Sequence, residues 1–283
     1  MARRGHNLPD EDPELSRLFT HLWRLDSNRL TPGQDYEINL QGGTKRFWTR
    51  DHAREPLFTY VTDEALRRPT YRSFIALLDN YERETTVPET VTPEEERENW
   101  TFIDAIMETG PMKEAHRFLA GKKKSPSDEQ GFKRQLYDIW FKLYRRTRAS
   151  GCLDSSGFEH VFVGECRGGE GRGRNEVIGF HNWIQYYQQE KRGTVDYKGY
   201  LLNKEPEGPH TRLLTIQFSW KRETKPEGST FVGTSPEFEM AIYTVLFLCG
   251  QSGDNVVTVD KHRCNVKVYH HGRNLGTAFP IEL

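Results

Sequence analysis

Apolar residues recur at three- and four-residue spacing from Pro13 to Arg148, the period of helices that bury a single stripe. Leu15, Leu18, Phe19, Leu22, Trp23 and Leu25 form one stripe, and Tyr71, Phe74, Leu77, Leu78 and Tyr81 another. Thr92-Pro93-Glu94-Glu95 reads as a helix start, with a threonine cap, proline at the first helical position and glutamate at the third. The helix it opens runs through Trp100, Phe102, Ile103 and Ile106, and Pro111 breaks or restarts it. Asp128 to Arg146 predicts another, with Phe132, Leu136, Ile139, Trp140, Leu143 and Tyr144 on one side. From Gly151 onward β-branched and aromatic residues alternate between turns, the texture of strands. Thr211 to Trp220 predicts a strand, and Thr234-Ser235-Pro236-Glu237 starts an apolar helix that stops at Gly250. Val256–Val259, Val266–His270 and Leu275–Ile281 predict three strands, with His271-Gly272-Arg273-Asn274 as a hairpin turn. The expected fold is α+β, with a helical lobe over residues 1–148 and antiparallel sheets with packed helices over residues 149–283.

Within this frame the stretch from Gly157 to Tyr200 concentrates the chemistry. Phe158, His160 and Phe162 alternate, which predicts a half-buried strand with His160 on the phenylalanine face and Glu159 on the other. The chain returns through Val177-Ile178-Gly179 after a loop rich in Gly and Arg. From His181 the spacing of Trp183, Ile184 and Tyr187 is helical, so His181 sits where a strand hands over to a helix. Free amides and the positive dipole end at such a place favour an anion, and phosphate is the obvious one beside two imidazoles. A histidine among phenylalanines is ordinarily a packing residue. Two of them returning on one hairpin with Glu159 and Glu165 nearby make a titratable group suited to proton transfer.

Composition narrows the class. At 283 residues the chain is long enough for a large core. Its four cysteines, Cys152, Cys166, Cys249 and Cys264, include no C-x-x-C pair, so neither a disulfide scaffold nor a usual structural zinc site is expected. The first residues carry charge early and lack an apolar stretch, so no secretory leader is expected as written. The expected location is cytoplasmic or nuclear, or secreted if a native signal was removed. Met240 to Cys249 is the longest apolar run and is too short to span a bilayer. Net charge is −1, which does not indicate a broad basic surface for duplex nucleic acid. Charge is nevertheless segregated, with basic clusters at Lys122-Lys123-Lys124, Arg145-Arg146-Arg148, Arg167-Arg172-Arg174 and Lys191-Arg192.

Cleaving RNA without a metal nucleophile needs a base for the ribose 2′-hydroxyl, an acid for the 5′-oxygen, and a cation for the charge that gathers on phosphorus. Two histidines and a lysine meet that list, each proton transfer contributing roughly 10²- to 10⁴-fold. Lys221 and Lys225 are the lysines that follow the strand ending at Trp220. The segments GFEHVFVGE, GFHNWIQYY, YKGY, IQFSWK, KPEGSTFVGTSPEFEMAIYT and HGRNLGTAFP resemble the EndoU (XendoU-type) uridylate-specific endoribonucleases, as do the N-terminal LSRLFTHLWRLDSNRL, FIALLDNY and LYDIWFKLYRR. The resemblance covers nearly the whole chain and makes both lobes one EndoU unit, its β-rich part a catalytic region of two sub-lobes.

The resemblance implies cleavage of single-stranded RNA at uridylates, leaving 2′,3′-cyclic phosphate ends. It implies His160, His181 and Lys225, the lysine before proline in KPEGS, as the catalytic set, with Glu159 and Glu165 in support. Ser229 matches a serine placed for uracil, and Thr277 and Phe279 join it as substrate-binding candidates. Mn²⁺ or Ca²⁺ is implied as cofactor, with Glu159 and Glu165 as candidate ligands and assistance to RNA binding as its expected part. The expected state is a monomer.

Two features depart from the family pattern. The loop from Cys166 to Glu176 is long and rich in Arg and Gly, and Arg167, Arg172 and Arg174 are expected to contact RNA phosphates. Phe279 stands where tyrosine is general. Two other classes compete: an RNA-binding protein of the same fold that has lost catalysis, and a zinc hydrolase using His160, Glu165, Cys166 and His181. The second is awkward, since adjacent Glu165 and Cys166 point to opposite faces of a strand.

Overall fold

The computed structural model describes residues 8–48, 50–147, 151–168, 175–204, 206–208 and 210–283. Its first part carries α1 (Pro13–Leu25), β1 (Tyr36–Ile38), β2 (Gly43–Thr44), β3 (Phe58–Val61), α2 (Asp63–Leu66), α3 (Pro69–Ala76), α4 (Pro93–Met107), α5 (Gly110–Gly121) and α6 (Glu129–Trp140). A five-residue π-helical segment, Glu159–Val163, follows, and then β4 (Glu165–Arg167), β5 (Glu176–Ile178) and α7 (Trp183–Lys191). The remainder is β6 (Val195–Leu201), β7 (Leu213–Trp220), β8 (Glu223–Phe231), α8 (Pro236–Cys249), β9 (Gly253–Val259), β10 (His262–His271) and β11 (Asn274–Glu282). The class is α+β, as expected.

The helix starts form for the reasons the sequence gives. Thr92 accepts from Glu95 N while the Glu95 carboxylate reaches back to Thr92 N, a complete capping box for α4. Ser235 accepts from Phe238 N and caps α8, whose apolar residues are buried all round. That helix packs on α5, α1 and α3 on one side and on β10 on the other, so it is the shared core of both halves. No helix among the described residues is long and apolar enough to cross a membrane.

Two sheets carry the second half, ordered β2-β6-β7-β8 and β9-β10-β11. The helical reading of residues 13–148 requires a correction here. Residues 36–61 form strands, and Gly43–Thr44 joins the larger sheet in parallel with Tyr200 and Leu201. These strands are too short for a periodicity to register. α6 also ends at Trp140, short of Arg146, because the chain turns so that Tyr144 can pair with Ser155 and donate its hydroxyl to Leu275 O at 3.1 Å.

The first turn of α8 carries a buried carboxyl against the start of α7. Glu239 accepts from Thr234 Oγ1 at 2.8 Å and from Asn182 Nδ2 at 3.4 Å, and burial pushes its pKa up to about 8. The folded protein therefore holds this proton up to about pH 8, whereas the unfolded chain releases it near the ordinary 4.5. Glu239→Gln removes that difference. The melting temperature of Glu239→Gln relative to the parent should rise between pH 5 and 8 and level off above; a gap that does not vary with pH would show the carboxyl to be ionised in the fold.

Candidate active site

His160 belongs to the π-helical segment and not to a strand, which corrects the expectation. Gly164 N donates to Glu159 O at 2.8 Å across five residues, a geometry frequent at functional sites. Phe158 and Phe162 lie four apart on one helical face, with ring centroids 5.2 Å apart, both packing on Phe74. An alternating apolar pattern two residues apart is equally an i, i+4 pattern, so His160 emerges opposite the phenylalanines. Glu159 is not turned to solvent either: it is fully buried.

The second histidine is brought in by backbone. Phe180 N donates to His160 O at 3.0 Å and His181 N to Val161 O at 2.8 Å, so the two segments are locked side by side. Gly179 has φ +63° and touches the His160 carbonyl so closely that any Cβ would collide with it. Phe180 itself takes φ +63°, held there by edge contacts with Phe218 and Trp220. α7 starts two residues after His181, but its cap Asn182 Oδ1 already accepts from Ile184 N and Gln185 N. The expected phosphate seat on free helix amides is therefore filled by the protein's own cap.

Each imidazole is oriented through Nδ1. His181 Nδ1–H donates to Ser229 O at 2.9 Å, which leaves Nε2 as an acceptor on the cleft. His160 Nδ1 meets Glu165 Oε2, with one proton between them, and its Nε2 accepts from Arg146 Nη2 at 2.6 Å. Burial is the main reason both imidazoles lie well below their usual pKa; Arg146 and Lys225 add to it at His160, as does Lys225 at His181. Burial also pushes Glu165 up to about 7. Both rings are thus neutral at neutral pH in the free protein, and the Glu165 oxygen at Nδ1 is placed to stabilise a proton added to His160.

Lys225 comes from β8, where its Nζ donates to Val177 O at 3.4 Å. Burial lowers its pKa to about 8, against a smaller raising effect of Glu176 and Glu227. Lys221 lies instead at the exposed β7–β8 turn, its ammonium over Trp220. His160, His181 and Lys225 share one cleft of about 390 Å³ with Ser229, Thr277 and Phe279. Ser229 is buried with its hydroxyl against Thr215 Oγ1 at 3.2 Å, and the Thr277 hydroxyl has no partner among the described residues. Phe279 stacks on the His181 imidazole, centroids 4.4 Å apart and planes 14° from parallel. It therefore also steadies the ring beside it.

The carboxylates fit a divalent cation poorly. Among the described residues no group of three or more His, Cys, Asp or Glu is arranged to hold a metal. Glu165 is committed to His160, with Arg146 Nε 3.7 Å away. Among the described residues neither of the two buried Glu159 oxygens has a hydrogen-bond partner, and desolvation and the neighbouring Glu165 and Glu89 hold this carboxyl well above its ordinary pKa, so it resists ionisation and is a weak ligand. The same absence of a donor set removes the zinc hydrolase reading. Arg167 pairs with Glu176 at 3.0 Å across the β4–β5 ribbon, and Arg172 and Arg174 lie outside the described residues.

Residues behind and in the cleft escaped the sequence reading. Arg146 sits in a run of arginines with nothing to single it out, yet it binds Gly276 O at 2.6 Å, Tyr144 Oη at 2.7 Å and His160. Lys267 and Tyr269 were within reach of period-2 reasoning. They face Phe279 and Thr277 directly across the β10–β11 ladder, so all four share the cleft side.

This fold and cleft place the chain among the endoribonucleases of one family. The sequence profile described as Endoribonuclease XendoU matches residues 14–280, and the chain belongs to that family. A Poly(U)-specific endoribonuclease of Xenopus tropicalis is 50% identical over 282 residues, 95% of this chain and 94% of the relative. Uridylate-specific endoribonuclease B of Danio rerio is 47% identical, over 97% and 98%. The solved structure of XendoU, a splicing independent snoRNA processing endoribonuclease, superposes with a TM-score of 0.84 at 46% identity, covering 97% of this chain and 99% of that one.

Proposed function

We propose that the protein cleaves single-stranded RNA at uridylates by attack of the ribose 2′-hydroxyl on the adjacent phosphate, leaving a 2′,3′-cyclic phosphate and a free 5′-hydroxyl. The observation that carries this reading is the convergence of two neutral imidazoles, each anchored through Nδ1, and a buried ammonium on one cleft. His181 offers an unencumbered Nε2 and is fixed by the carbonyl of Ser229, the residue assigned to uracil. It is the base for the 2′-hydroxyl of the nucleotide that Ser229 selects. His160 is the acid: its Nε2, where Arg146 donates in the free protein, takes up a proton from solvent, the Glu165 carboxylate accepting from Nδ1–H holds the imidazolium, and Nε2–H then passes to the 5′-oxygen. Lys225, and Arg146 beside His160, meet the charge on the non-bridging oxygens. The names of the relatives, poly(U)- and uridylate-specific, support the base preference. Because Glu159 and Glu165 fit a cation poorly, this reading gives Mn²⁺ or Ca²⁺ a part in RNA binding alone.

The test is an oligonucleotide containing one uridine, with ribose or deoxyribose at that nucleotide. Cleavage of the ribose form and none of the deoxyribose form is expected, with the product terminus resistant to phosphatase until the cyclic ester is opened. Efficient cutting of the deoxyribose form refutes the mechanism. Run with EDTA and with Mn²⁺ at fixed ionic strength, the same series should show the ion acting on RNA affinity.

A further inference from the structure

Beside the cleft, Lys45-Arg46-Phe47-Trp48 forms a turn in which Trp48 N donates to Lys45 O at 2.8 Å. Its two aromatics face water, Phe47 at 86% exposure and Trp48 at 41%. A large ring held in water forgoes the stabilisation of burial, and a flexible turn would let it fold back onto the surface. This turn is tethered instead. The buried Gln217 side chain donates to Arg46 O at 3.1 Å and Lys45 O at 3.4 Å, tying the turn to the sheet that also carries Lys225 and Ser229. Trp48 is buttressed, with His52 stacked at 5.3 Å and 28° and the Lys45 ammonium 4.9 Å from its ring centre. Phe47 is left with its ring open and the Arg46 guanidinium 5.6 Å away.

Charge points the same way. Lys45, Arg46, Arg50 and Arg54 are set against Glu55 and Asp51, the latter held by Lys198 at 3.1 Å. Arg46 itself lines the catalytic cleft, pairing with Glu227 at 3.6 Å, and Phe47 is the next residue, about 3.8 Å along the backbone. A rigid exposed ring among cations at the rim of a nucleic-acid cleft is the pairing that single strands use, bases stacking while phosphates run along the charges.

We propose that this turn is a base platform: Phe47 stacks the base of a nucleotide flanking the one cleaved, and Lys45 and Arg46 hold the phosphates that lead to it. The proposal rests on the reading of the cleft as a ribonuclease site, and it supplies that site with a contact beyond the uridylate that does not depend on base identity.

The test uses oligodeoxynucleotides with a single ribouridine and an abasic residue placed at each flanking position in turn. The parent should lose about tenfold in kcat/KM when one particular flanking base is absent. Phe47→Ala should lose the same on the intact substrate, through KM, and nothing more at that abasic position; Phe47→Tyr should restore the parental behaviour. Losses that multiply, or a Phe47→Ala enzyme equal to the parent on every substrate, overturn the proposal, the second result being that expected of a protein-docking surface. Anisotropy of the uncleavable all-deoxy strand separates the two readings. Parent protein that binds it through Phe47 but cuts no ribouridine strand keeps the platform and removes the nuclease assignment.

Discussion

Replacing His181 by alanine should lower single-turnover cleavage by about 10²- to 10⁴-fold, the value of one positioned proton transfer, while leaving RNA affinity near the parental value. The loss has two possible origins in this cleft, since the imidazole also packs on Phe279 and donates to Ser229 O. His181→Asn separates them. Its side-chain amide keeps a donor toward Ser229 O but has no titratable nitrogen where Nε2 stood, so it should be as slow as the alanine variant. Added imidazole should partly rescue His181→Ala, whose vacated space adjoins the open cleft. An asparagine variant cleaving at the parental rate would mean that His181 acts only as packing and that the base lies elsewhere. Phe279→Ala is the softer companion: removing the stacked ring frees the imidazole to turn, so its loss should be smaller than that of either His181 variant.

How far these roles were readable beforehand depended on the scale of the interaction that sets them. Caps and hairpins are local, and the Thr92 box, the Ser235 cap and the β9–β11 meander follow from residues within a few positions of one another. The chemical identities of His160, His181, Lys225 and Ser229 were readable as motif residues, and the cleft brings them together. What the pattern could not convey was tertiary. Whether phenylalanines two apart around a histidine mean strand or helix is decided by what lies under them, and here that is Phe74, Phe102 and Trp140 from the first half of the chain. Arg146 reads as one arginine of a solvated cluster, and only the early end of α6 turns it toward His160. The side-chain cap of α7 was equally invisible as a consequence: Asn182 beside His181 signals a helix start, and a filled start is not an anion site.

Lys225 should give the cleft its alkaline limit. Burial lowers its pKa to about 8, so the side chain is an ammonium below that pH and a neutral amine above it. A neutral amine offers the phosphorane no charge, and kcat/KM, which reports the free enzyme, should fall with pH above about 8. The His181 imidazole cannot cause that limb, since burial and Lys225 hold it below its usual range and it is already deprotonated there, and loss of the proton that Glu165 beside His160 holds up to about 7 would give a separate, lower fall that Lys225→Arg retains. Bound RNA adds negative charge beside the ammonium, so the corresponding limb in kcat should lie at higher pH than the limb in kcat/KM. Lys225→Ala should cost on the order of 3 kcal/mol of transition-state stabilisation, somewhat over a hundredfold in rate. Lys225→Arg keeps a charge that does not titrate in this range, and although its planar fork fits the Val177 contact less well, its residual activity should show no fall near pH 8. An arginine variant with the parental alkaline limb would assign the titration to another group and leave Lys225 the part of a neutral hydrogen-bond donor.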